Sequence, residues 1–194
     1  DDPTVAAWRT LLPRLRARAR IAALAAAESL KDEPDLSVLN EACVHDDEWI
    51  RIAALTTRAR AQQAQETPAA LADLVRAHAG DAEFREVLGP AALQLIRTGR
   101  PEFLVLLAQV ISEGQTEFGC DVTQELMLEA QREDVADVLR DCLSGEPVQG
   151  LGRLCLAMAL RAGSGTLAGI EIARPPDDAG DPELLGAYHA LRSM

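Results

Sequence analysis

"RIAAL" occupies residues 20–24 and is spelled again, letter for letter, at residues 51–55. Laying residues 17–26 (ARARIAALAA) over 48–57 (EWIRIAALTT) superposes the two blocks at an offset of 31. Further along, residues 100–112 (RPEFLVLLAQVIS) fall over 132–144 (REDVADVLRDCLS) at an offset of 32. Their apolar positions coincide: Phe103 with Val135, Leu106 with Val138, Leu107 with Leu139, Val110 with Cys142 and Ile111 with Leu143. A weaker match sets Asp47-x-x-x-Arg51 over Asp81-x-x-x-Arg85 at an offset of 34. Three offsets this close imply a period of one helix pair per unit. Within the pentapeptide, Ile and Leu three apart share a helix face, and the alanines between them let a neighbouring helix come close.

Composition supports helices. Alanine and leucine are abundant, β-branched residues are sparse, and only 3% of the 194 residues are aromatic, which is helix-forming chemistry. Pro3, Pro13, Pro68, Pro101, Pro147 and Pro182 each stand where a first-turn proline belongs, and Asp2, Thr67 and Asp181 precede three of them as N-caps. The pattern predicts helices near 3–12, 13–30, 35–45, 47–63, 68–79, 82–98, 101–113, 121–131, 134–144, 147–162, 166–173 and 182–193, with a kink or split at Gly89-Pro90. Paired, they make an all-α, right-handed superhelix (solenoid) of about six antiparallel helix pairs, expected to form a single domain over 1–194. Opening on Asp1 rather than methionine suggests a processed chain or part of a longer protein.

The stretch LSVLNEACVHDDEWIRIAAL (residues 36–55), an apolar helix, an Asp-rich turn and an arginine before Ala-Ala-Leu, resembles a HEAT-like, armadillo-type repeat. The resemblance implies a turn-aspartate and helix-arginine ladder between units, falling on Asp47, Arg51, Asp81 and Arg85. Arg16 stands where the first unit would have its aspartate, which implies a terminal or capping unit. The tetratricopeptide pattern is missing, and only "TPAAL" at 67–71 resembles an ankyrin repeat. HEAT-like folds include alkylpurine DNA glycosylases and phycobilin lyases, so an enzyme of that kind is the rival reading, with Trp8 and Trp49 as its stacking candidates. On the stripe Val5, Trp8, Leu12, Leu15, however, Trp8 reads as core or end-cap packing.

No nucleophile elbow, phosphate loop or H-E-x-x-H is spelled, and His45, His78 and His189 lack ligand-spaced partners; no catalytic residue, cofactor or metal is expected. His45 beside Asp46 reads as a turn residue. Cys43, Cys120, Cys142 and Cys155 are widely spaced and are expected to be buried, reduced thiols. The absence of a long apolar run or a leader-like opening points to a cytoplasmic protein without a membrane span. Its alanine-and-arginine bias looks like a high-GC, bacterial coding sequence.

Charge suggests the partner. A net charge of −12 argues against nucleic acid, whose phosphates need a basic surface. Residues 101–194 carry 6 basic and 16 acidic side chains, net −10. Acids recur four apart at Glu113, Glu117, Asp121, Glu125, Glu129, Glu133, Asp137 and Asp141, where like charges repel by a few tenths of a kcal/mol per pair. Such a ridge either keeps the surface solvated or steers a basic protein segment. Arg9, Arg14, Arg16, Arg18 and Arg20 form an opposite, basic stretch, with Arg14 and Arg18 on one side, fit for an acidic partner or for acids of the next unit. The expectation is a non-enzymatic scaffold that binds a protein or peptide, with Glu125, Glu129, Glu133, Asp137, Asp141, Arg14 and Arg18 as contact residues.

Overall fold

The computed structural model describes residues 36–62, 67–113, 116–145, 148–176 and 181–194. Among them are nine α-helices, one short 3-10 turn and no strand. The chain divides after Leu74 into two compact units. The first RIAAL block, the helices expected over 3–30, Arg14, Arg18 and Trp8 lie outside the described residues.

In the first unit, α1 (Leu36–Cys43) packs on α2 (Glu48–Gln62). The connection is closed by polar contacts: Trp49 N–H donates to Asp47 Oδ1 at 3.0 Å, and Asp47 N–H donates to His45 Nδ1 at 2.9 Å. Asp47 thus caps α2, satisfying a donor that a helix start leaves orphaned, and His45 is the turn residue its position implied. The second RIAAL block lies in α2, with Ile52, Ala54 and Leu55 buried. Thr56 and Thr57 are buried as well, each hydroxyl donating to the carbonyl four residues back. The division between units falls within α3 (Thr67–His78).

Beyond the end of α3, the second unit continues through a 3-10 turn, Ala82–Phe84, that leads into α4 (Arg85–Arg97). His78 stacks on Phe84 with ring centroids 4.0 Å apart, and its Nδ1 lies 2.9 Å from Asp81 Oδ2. Of the kink or split expected at Gly89-Pro90, the split does not occur: α4 runs through Pro90 as one helix. One proline removes a single hydrogen bond, and Gly89 before it has no Cβ to clash with the proline ring. Pro90 faces solvent while Ala91, Ala92, Leu95 and Ile96 are buried. Next come α5 (Pro101–Ser112), α6 (Thr116–Glu129), α7 (Glu133–Ser144), α8 (Gly150–Ser164) and α9 (Pro182–Ser193). Helix α6 begins earlier than the expected 121, and α8 later than the expected 147. Residues 166–173, expected to be helical, contain a turn and are otherwise irregular. Gly165 at φ 74° explains where α8 stops: a left-handed residue ends the helix, its N–H closing on the Arg161 carbonyl at 2.9 Å. Asp181 caps α9 as expected, Oδ1 accepting from Glu183 and Leu184 N–H at 3.0 Å each.

Packing runs in two directions. Helix α4 packs on α6 and α6 on α8, α5 packs on α7, and α8 also touches α5, α7 and α9. The aligned segments 100–112 and 132–144 are alike in more than letters. Arg100 and Arg132 both hold extended N-cap backbone and pair with an acid two residues on, Glu102 and Asp134, each at 2.7 Å. Ser112 and Ser144 both donate to the carbonyl four residues back. Phe103 and Val135, Leu107 and Leu139, Val110 and Cys142, and Ile111 and Leu143 are all buried.

Helix α8 sits against its neighbours at backbone distance. A Cβ on Gly152 would lie 2.0 Å from the Ala108 carbonyl oxygen of α5, and one on Gly163 would lie 2.4 Å from the Ala130 carbonyl at the end of α6. Ser112 Oγ staples the first of these contacts, accepting from Gly152 N–H at 2.9 Å and lying 3.1 Å from the Gln149 carbonyl. Gly152→Ala should therefore lower stability by about 3 kcal/mol or more in urea unfolding. Gly186→Ala, in α9 with open space around its Cβ position, should raise it by about 0.5–1 kcal/mol.

Candidate functional site

Acidic residues expected to form one ridge divide among three helices. On α6, Asp121 and Glu129 turn toward α4: Arg85 Nε lies 3.3 Å from Asp121 Oδ2, and Arg97 Nε lies 2.8 Å from Glu129 Oε1. Glu125, half-buried, stands between them on the same stripe. These two ion pairs join residues 36 and 32 apart, close to the sequence period. Glu129 is only 11% exposed and also accepts from Arg132 Nη1 at 3.1 Å. The Arg132 bond to Asp134 in turn holds the Asp134 carboxyl below its ordinary range. Two arginines of α4 thus offset the like-charge repulsion within the α6 stripe.

The break at Ala130–Arg132 separates that stripe from α7, where Glu133, Asp137 and Asp141 are exposed at fourfold spacing. Glu133 and Asp134 lie in the first turn, where the helix dipole favours negative charge. Asp137 pairs with Arg140 one turn on. Glu113 is exposed at the end of α5. The four residues assigned to a repeat ladder have these partners: Asp47 caps α2, Arg51 reaches Glu48 and the His45 carbonyl, Asp81 meets His78, and Arg85 meets Asp121.

A second feature escaped the sequence reading. Between α6, α8 and α9 lies an apolar cavity of about 370 Å³, lined from α6 by Cys120, Thr123, Gln124 and Met127, from α8 by Leu151, Cys155 and Met158, and from α9 by Glu183 and Ala187. The α6 residues recur at helical spacing on the face turned away from Asp121 and Glu125, and Leu128 beside them is 62% exposed. Period alone could show that α6 has this stripe; which helices flank it depends on the placement of α8. A further cavity of about 550 Å³ is lined by residues 171–176 and the start of α8. There Arg153 ties α8 to the loops, donating to the carbonyls of Gly145 at 3.3 Å and Glu171 at 3.4 Å.

The thiols depart from expectation at one position. Cys43, Cys142 and Cys155 are buried and free, but Cys120 is exposed at the cavity mouth. Burial pushes all three buried thiols up, at Cys43 against the opposing Arg58 guanidinium and at Cys155 against the Thr123 hydroxyl. Among the described residues no three His, Cys, Asp or Glu side chains gather as a metal site, and no helix is long and apolar enough to cross a membrane. In comparisons with known proteins, no family model matches the chain, nor does a curated protein or a solved structure.

Titration with a thiol reagent at neutral pH should show one fast equivalent, lost in Cys120→Ser, and three that react only on unfolding. The buried thiols, raised in the folded state, contribute stability that is complete below the ordinary thiol pKa and lost as pH rises beyond it. The urea midpoint should therefore fall on the alkaline side, which denaturation curves at neutral and alkaline pH would read directly.

Proposed function

We propose that the chain is a non-enzymatic scaffold of HEAT-like, solenoid type that holds a protein partner carrying a basic segment. Two features support the architecture: the successive packing of α4, α6 and α8 beside that of α5 and α7, and the matched helix ends of α5 and α7. The observation that carries the function is the division of the acidic residues. On α6, Asp121 and Glu129 are tied to α4 by Arg85 and Arg97, whereas Glu133, Asp137 and Asp141 are exposed on α7. In a region of net charge −10, surface carboxylates steer a cationic partner and discriminate against anionic ones. Glu129 belongs to the internal pairing, so its expected role at the contact surface gives way to the exposed α7 residues.

The test uses the full chain and a partner recovered by cross-linking, with affinity measured at low and physiological salt. Glu133→Gln combined with Asp137→Gln and Asp141→Gln should weaken binding by about three- to tenfold and flatten its salt dependence. Unchanged affinity and salt slope would overturn the reading.

A further inference from the structure

We infer that Cys120 and Cys155 hold a soft monovalent metal ion, copper(I), between α6 and α8, with the thioethers of Met127 and Met158 as further donors. Cysteine and methionine together number seven in the chain, and four of them line the one cavity of about 370 Å³. Thiolate and thioether sulfur are the soft donors that select copper(I) over harder ions. Hard donors are scarce there. Among the described residues that line it no histidine is present, Glu183 carries the one carboxylate, and the Thr123 hydroxyl is committed to the Gly119 carbonyl at 2.7 Å. Zinc takes four donors and completes a two-cysteine set with imidazole or further thiolate, neither of which these walls supply.

The fold brings these sulfurs together along a parallel helix pair. A Cβ on Gly119 would lie 3.3 Å from Ile111, and one on Gly152 would lie 2.0 Å from the Ala108 carbonyl, so α6 and α8 both begin beside the second half of α5. They end together where Gly163 meets Ala130. Measured back from that contact at about 1.5 Å per residue, Cys120 stands about 15 Å and Cys155 about 12 Å along its helix, which puts the two thiols at neighbouring levels. Burial pushes the Cys155 thiol up, the Thr123 hydroxyl one turn on from Cys120 opposes that rise, and Cys120 is near enough to add to it. Long side chains on a helix lean toward its start, so Met127 and Met158 are directed from their later turns toward the cysteine level. Cys155 is buried and Cys120 exposed, which gives an ion a way in from solvent and a dry seat beyond it. Each thiol releases its proton to solvent as the ion binds, so affinity falls as pH is lowered.

The test titrates the full, reduced chain anaerobically with copper(I) against a chromophoric copper(I) chelator, and in parallel with zinc(II). One equivalent of copper(I) should leave the chelator, X-ray absorption should show sulfur neighbours alone, and zinc(II) should bind about 100-fold or more weakly. The bound ion should slow alkylation of Cys120 by about tenfold or more, because the coordinated thiolate is no longer free to attack. Cys120→Ser and Cys155→Ala should each weaken copper(I) binding by about 100-fold, and Met127→Leu combined with Met158→Leu, which conserves volume, by about tenfold. Cys120 is exposed, so its variant keeps the test valid should Cys155→Ala disturb folding. Failure to take copper(I) from the chelator, equal affinity for zinc(II), or nitrogen and oxygen neighbours in the absorption spectrum would overturn the inference. Loss of binding in Cys120→Ser with full binding in a folded Cys155→Ala, or unchanged affinity in the methionine double variant, would also overturn it, the first result reducing the site to a single-thiol adduct. Every one of these outcomes leaves the reading of the α7 carboxylates intact.

Discussion

The second unit depends on how closely the backbone of α8 approaches its neighbours. Gly152 against Ala108 and Gly163 against Ala130 bring main chains to distances that exclude any side chain. Because protein interiors are close-packed and deform little, these two contacts set the position of α8 at both ends. From there α8 touches α5, α6, α7 and α9, so the whole second unit is built around it. The contact to α5 also reaches past the immediately preceding helix pair. A stack in which each pair touched only the next would not require it.

The same placement opens the apolar cavity. With Gly152 and Gly163 holding α8 against α5 and the end of α6, the face bearing Leu151, Cys155 and Met158 is left to α6 and α9. Helix α9 lies along α8 with only Leu191 fully buried, and the space between the three helices stays open. Elsewhere the surface is managed by charge. Arg85 and Arg97 of α4 meet Asp121 and Glu129 of α6, so acids that would repel one another along a helix become ties between two. Exposed pairs of this kind contribute little to stability, about 0–1 kcal/mol each, but they set which carboxylates of α6 are tied to α4, while those of α7 lie at the surface.

Much of the secondary structure was legible because its signals are local. Helix bounds for α2, α5, α7 and α9 follow from proline at a first turn, an aspartate cap or an apolar period of 3.6, each of which acts within a few residues. The failures were local as well. Residues 166–173 contain small and apolar residues that tolerate a helix, yet the left-handed Gly165 ends α8 before them and Arg153 ties the Glu171 carbonyl to α8. Pro90 carried the strongest breaking signal in α4, but burial of Ala91, Ala92 and Leu95 outweighed one missing hydrogen bond. Cys120 has no feature in its neighbours that separates it from the buried thiols; only the position of α8 leaves it at an opening.

By itself, then, the amino-acid order determined helical content, the correspondence of residues 100–112 with 132–144, the excess of acid in the second half and the likeness of local environment at Arg100 and Arg132. These are set by chemistry acting over one or two turns. Only the tertiary structure decided which of the acids recurring every four residues are paired, which face water, and that Met127 and Met158 line one cavity. Those outcomes depend on residues some thirty positions apart meeting across a helix interface, and period carries no record of which faces will meet.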